Sequence, residues 1–118
     1  MYKLPKGVDL GLLVGKQLLQ ICIGSADIML NFDDNTRITV MTAIHYERYD
    51  GRKGVSEDGG EIVAALHECL GCQIVDFSAS EEGTLRLVLS SGATIEVRDD
   101  DPHHECYWIR HHESQIIV

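Results

Sequence analysis

Cysteine, histidine and carboxylate side chains are where this chain offers chemistry. His67-x-Cys69-x-x-Cys72 forms one group, and His103-His104-x-Cys106 forms another. Cys-x-x-Cys is a common half-site for zinc, which takes thiolate sulfur and imidazole nitrogen in a tetrahedron. The same spacing supports thioredoxin-type exchange where it opens a helix, because the helix N-terminus lowers the first thiol's pKa. Here it closes one: Cys69 falls on an apolar helical stripe and Cys72 follows Gly71, a helix-ending glycine. Buried cysteine is an ordinary small core residue. The expectation is therefore no cofactor and no metal. A zinc- or other metal-binding domain built on Cys69, Cys72 and nearby histidines is the alternative, and a structural protein is a third reading.

Catalysis by side chains alone needs a nucleophile, a base and an orienting acid within mutual reach. Ser90-Ser91 precedes Gly92 and is explained by turn chemistry. Glu47 and Glu105 would form a carboxylate pair only if their strands meet. His103, His104, His111 and His112 could make a pH-sensitive face, since histidine is the side chain suited to that role, but they read as solvated loop residues. The chain is expected not to be an enzyme.

The acidic segments carry the stronger functional signal. Asp99, Asp100 and Asp101 run together, Glu57 and Asp58 lie with Glu61 beside a glycine-rich loop, and Glu81-Glu82 occupy a turn. With 19 acidic against 10 basic residues, the 118-residue chain carries a formal charge of −9. Such a surface repels nucleic-acid phosphates and anionic membranes and steers toward cationic partners. Tyr107 and Trp108, with Tyr46, supply aromatic side chains of the kind that anchor protein interfaces. The candidate partner-binding residues are thus Asp99, Asp100, Asp101, Glu57, Asp58, Tyr107 and Trp108. The expected partner is a basic protein, not nucleic acid and not a membrane.

These residues need elements to hold them. Residues 85–97, LRLVLSSGATIEV, alternate apolar and polar, break at Ser-Gly and alternate again, which predicts a β-hairpin. Residues 28–40, IMLNFDDNTRITV, repeat the pattern around Asp34-Asn35. Further strands are predicted over 16–23, 42–50, 72–79, 105–109 and 115–118. Residues 8–15 fit one or two helical turns with Asp9 as a cap. Residues 51–60, GRKGVSEDGG, read as a loop. Residues 61–70 carry Ile62, Ala65, Leu66, Cys69 and Leu70 at helical spacing, which predicts the one clear helix.

The two halves match. Gly15-Lys16-Gln17-Leu18-Leu19 aligns with Gly71-Cys72-Gln73-Ile74-Val75, Ile28-Leu30-Phe32 with Leu85-Leu87-Leu89, and Ile38-Val40 with Ile95-Val97. Repeats over about residues 13–49 and 69–109 predict duplicated units. The expected fold is a single mainly β (α+β) domain over 1–118. In it, two duplicated antiparallel meanders of four strands pack as a sandwich or half-barrel, with one short helix between them.

LVGKQLLQICIG, LNFDDNTRI, CLGCQIV, LRLVLSSGATIEVRDDD, HHECYWI and the terminal IIV together resemble an uncharacterised bacterial family. Its pattern runs L-x-G-x-x-L, L-x-F-D, L-L-G-x-x-V, L-x-L-x-F-S-D-G-x-x-L and Y-E-S-Y-x-I. The resemblance covers about residues 8–118. The family's Y-E-S-Y stands here as His104-Glu105-Cys106-Tyr107, and Cys69 and Cys72 lie outside its pattern. Small acidic domains of this kind resemble immunity proteins. That implies a cytoplasmic, non-catalytic inhibitor that covers the active site of a basic, nuclease-like toxin.

Overall fold

A computed structural model describes residues 1–5, 7–56 and 60–118. Its strands are β1 (Leu18–Ile23), β2 (Ile28–Phe32), β3 (Thr36–Val40), β4 (Ile44–Glu47), β5 (Lys53–Val55), β6 (Ile74–Ala79), β7 (Leu85–Leu89), β8 (Thr94–Val97), β9 (Tyr107–His111) and β10 (Ser114–Ile117). One α-helix, α1 (Gly60–His67), and a 3₁₀ turn over Gly11–Leu13 complete the described elements. The fold is mainly β: two five-stranded antiparallel sheets packed face to face, ordered β1-β2-β3-β9-β10 and β5-β4-β8-β7-β6.

Both predicted hairpins form. Leu30 pairs with Ile38 and Ile28 with Val40; in the second hairpin, Leu87 pairs with Ile95 and Leu85 with Val97. Period-two alternation sends these side chains to the shared interior, where Leu30, Ile38, Leu85, Leu87, Leu89 and Ile95 are buried. The first hairpin turns through Asp34 and Asn35, both with positive φ, and the second through Gly92.

The four-stranded meanders expected from the repeat divide differently. After β3 the chain leaves its sheet, and β4 pairs with β8; after β8 it leaves again, and β9 pairs with β3. Read from matching ends, the sheets run β1-β2-β3-β9-β10 and β6-β7-β8-β4-β5. Each open edge left by a three-stranded meander is thereby paired with a hairpin from the other half, which removes exposed edge backbone. The corner is sealed where Met41 N–H donates to Cys106 O at 2.9 Å.

The opposite edges are joined by reciprocal backbone bonds. Gly15 N–H donates to Ile74 O at 2.7 Å and Gly71 N–H to Leu18 O at 2.8 Å, around a bridge between Gln17 and Gln73. Register shifts between Leu18 and Gln20 and between Ile74 and Asp76 mark a bulge in each edge strand. The bulges keep Leu18 and Ile74 fully buried and leave Leu19 and Val75 exposed.

Two expectations are corrected. The stretch read as loop contains β5, which pairs with β4 across a turn closed by Arg48 N–H to Arg52 O at 2.7 Å. The helix ends at His67 rather than Leu70, because the chain tightens into i to i+3 bonds (Cys69 N–H to Leu66 O, Leu70 N–H to His67 O) before Gly71 reverses it at φ +83°. Ile62, Ala65 and Leu66 bury the helix face. Among the described residues, no helix is long and apolar enough to cross a membrane.

Candidate functional site

The loop after β8 begins with the acidic run, and its three carboxylates have three different settings. Asp99 points inward with its side chain 4 % exposed and ion-pairs with the amino group of Met1. It also accepts hydrogen bonds from Lys3 N–H at 2.6 Å and from the Cys106 thiol at 3.4 Å. Asp100 is exposed and accepts the Thr42 hydroxyl at 3.0 Å. Asp101 accepts His103 N–H at 2.9 Å and meets His104 Nδ1 at 3.0 Å. The His103 N–H, with His104 adding to it, holds the Asp101 carboxyl below the usual carboxylate range.

Tyr107 is wholly buried, and its hydroxyl donates to Gly83 O at 2.6 Å. Burial pushes its pKa up. It is a core residue, and its candidacy as an interface anchor is corrected accordingly; Tyr46 is likewise buried. Gly83 itself has φ +95°, and a Cβ there would lie 2.7 Å from Asp99 Cβ and 3.2 Å from Lys3 Cα. The turn between β6 and β7 is thus clamped by Tyr107, Asp99 and the N-terminal segment. This close approach sets the exposed Glu81 and Glu82 beside the loop that carries Asp100 and Asp101. Next to them, a groove of about 950 Å³ is lined by apolar Leu4, Val8 and Phe77 together with Asp9, Glu81, Glu82 and Lys3.

Trp108 is half-buried on the outer face of the first sheet, its indole N–H donating to Glu105 Oε2 at 2.7 Å. It stands in a cross-strand row with Cys22, Met29, Thr39 and Ile117. Glu57 and Asp58 lie outside the described residues.

The cysteine alternative finds no assembled ligand set among the described residues. The Cys69 thiol donates to Ala65 O at 3.4 Å and the Cys72 thiol to Glu68 O at 3.6 Å. Burial pushes the Cys69 thiol up to about 12, which disfavours the thiolate a metal needs. Glu47 and Glu105 do not pair: Glu47 sits on β4 in the second sheet, and Glu105 holds Trp108 on the first. Ser90 Oγ accepts Gln73 N–H at 3.1 Å, and Ser91 Oγ accepts Ala93 N–H at 3.3 Å, so both shape their turn. Glu47, Lys53, Arg86, Glu96 and Arg98 line a shallow cavity of about 430 Å³ with His45, where Arg98 Nε donates to Glu96 Oε1 at 2.6 Å.

One metal-ligating set does converge among the described residues. Asp34 in the β2–β3 turn, His111 at the end of β9 and His112 beyond it present ligand atoms within 4.8 Å of one another. In the sequence, His111 and His112 stand out as a pair and Asp34 only as part of an Asp-Asp-Asn turn, with nothing to relate them.

No curated protein and no solved structure matches the chain. A family model does, over residues 11–118, which is nearly the whole of the two-sheet fold. The chain therefore belongs to the family of unknown function DUF6188.

Proposed function

We propose that this protein is a non-catalytic, cytoplasmic protein-binding domain, an immunity protein that neutralises a basic, nuclease-like toxin by covering its active site. The observation that carries the reading is the apposition of the Glu81–Glu82 turn and the Asp100–Asp101 loop, held together from below by Asp99, Gly83 and Tyr107. Carboxylates on two adjoining loops, with Glu81 and Glu82 also lining a partly apolar groove, suit a cationic surface that would otherwise grip phosphates. In this account Glu81, Glu82, Asp100 and Asp101 make contact and Trp108 is the aromatic candidate at the rim, while Asp99 and Tyr107 organise the loops. The chain is taken as a duplicated unit, a view supported by the matching strand orders and the reciprocal bonds around Gln17 and Gln73.

The test is affinity for the protein encoded beside this one, for wild type and for the triple variant Glu81→Gln, Glu82→Gln, Asp100→Asn. These side chains are exposed, so the variant should fold with unchanged stability. Tight wild-type binding with a slower on-rate in the variant supports the reading, since rim charges act mainly on association. Equal on-rates for the two proteins would remove the acidic end from the interface.

A further inference from the structure

We propose that Asp34, His111 and His112 form a binding site for a divalent transition-metal ion at the junction of the β2–β3 and β9–β10 hairpins. The inference is independent of the partner-binding reading. Its starting point is the pairing of Thr36 with His111, which sets the two hairpin ends side by side. His112 N–H donates to Asn35 O at 3.0 Å and fastens one turn to the other.

The spacing of the donor atoms fits a metal. His112 Nε2 lies 3.3 Å from Asp34 Oδ1. Ligands at about 2.0–2.1 Å from a tetrahedral zinc stand about 3.3–3.4 Å apart, so this pair already has the required separation. The third donor, on His111, lies within 4.8 Å of both.

Hydrogen bonding bears on which His111 nitrogen holds a lone pair. The Thr36 hydroxyl donates its one proton to Asp34 O at 3.1 Å. Its oxygen is therefore left to accept from His111 Nδ1, 2.8 Å away. With the proton on Nδ1, Nε2 is the nitrogen left to ligate, the outer-shell arrangement typical of metal-bound histidine. Asp34 is oriented in the same way: Lys16 Nζ takes Oδ2 at 2.7 Å, leaving Oδ1 toward His112.

Asp34 and His112 hold φ of 54° and 55°, a left-handed conformation that Asp, Asn and His adopt more readily than most residues. Two imidazoles and a carboxylate suit zinc, cobalt, nickel or copper rather than calcium or magnesium, which take oxygen. Asp34 and His112 are exposed, so three protein ligands leave a position open to water.

The experiment uses tag-free full-length protein stripped with chelator. Zinc binding is followed by calorimetry and cobalt binding by its visible d–d spectrum. The expected result is one equivalent of zinc and a cobalt spectrum of tetrahedral type. Asp34→Asn and His112→Asn, which tolerate positive φ, should each weaken zinc at least tenfold. Thr36→Val should weaken it about 10–100-fold through the lost outer-shell bond. A His103→Gln, His104→Gln double variant should bind as wild type does. Absence of zinc binding by the folded wild type overturns the proposal, as does binding that survives Asp34→Asn and His112→Asn or is lost with His103 and His104.

Discussion

Tyr107 and Gly83 show how one hydrogen bond shapes a surface from beneath. The Tyr107 hydroxyl is the partner of a buried carbonyl, and its removal leaves that carbonyl unsatisfied. Tyr107→Phe should therefore cost about 1–3 kcal/mol in urea unfolding. Gly83→Ala should also destabilise, by forcing a Cβ into Asp99 at a positive φ. If Tyr107→Phe left the unfolding midpoint unchanged, the clamp would not be holding the Glu81–Glu82 turn. Neighbouring residues differ just as sharply at the first bulge. Leu18→Ala should cost about 2–5 kcal/mol, whereas Leu19→Ala should stay within about 0.5 kcal/mol, because only Leu18 is buried. Equal losses at the two positions would mean that the strand has no bulge.

At the scale of elements, α1 is tied to the sheets by Arg48. Its guanidinium meets Glu68 through two nitrogens, with Glu61 Oε2 at 3.8 Å. The Arg48 hydrogen bonds hold the Glu68 carboxyl below its usual range. A carboxyl with a depressed folded pKa stabilises the fold above its unfolded value of about 4.3 and loses that contribution as pH falls through the folded value. The stability gap between wild type and Glu68→Gln should thus be present at neutral pH and close under acid; a gap independent of pH would contradict the pairing. The hairpins at 28–40 and 85–97 were legible in sequence because alternation is a local property of strands. Strand β5 was not, since Lys53-Gly54-Val55 has no alternation of its own and exists by pairing with β4. Nor was the exchange of β4 and β9 between sheets, because the short link from Val40 to Ile44 permits either a hairpin or a corner. The Asp34–His111–His112 set depends on that exchange and was invisible for the same reason. Burial of Asp99 and Tyr107 likewise comes from the N-terminal segment and the β6–β7 turn, both distant in sequence.

For the whole molecule, charge is the property on which the proposed binding depends. A formal charge of −9 gives the chain a long-range negative field, and the Gly83–Asp99 contact brings the turn that carries Glu81 and Glu82 against the loop that carries Asp100 and Asp101. Fields of this kind accelerate encounter with cationic partners and are screened over about 8–10 Å at moderate ionic strength. The most direct measurement is a titration of this protein against the product of the adjacent gene at low and at high salt. The expected result is nanomolar affinity that weakens steeply with salt, mainly through a slower on-rate. No binding at low salt with the partner folded, or tight binding indifferent to salt, would contradict it.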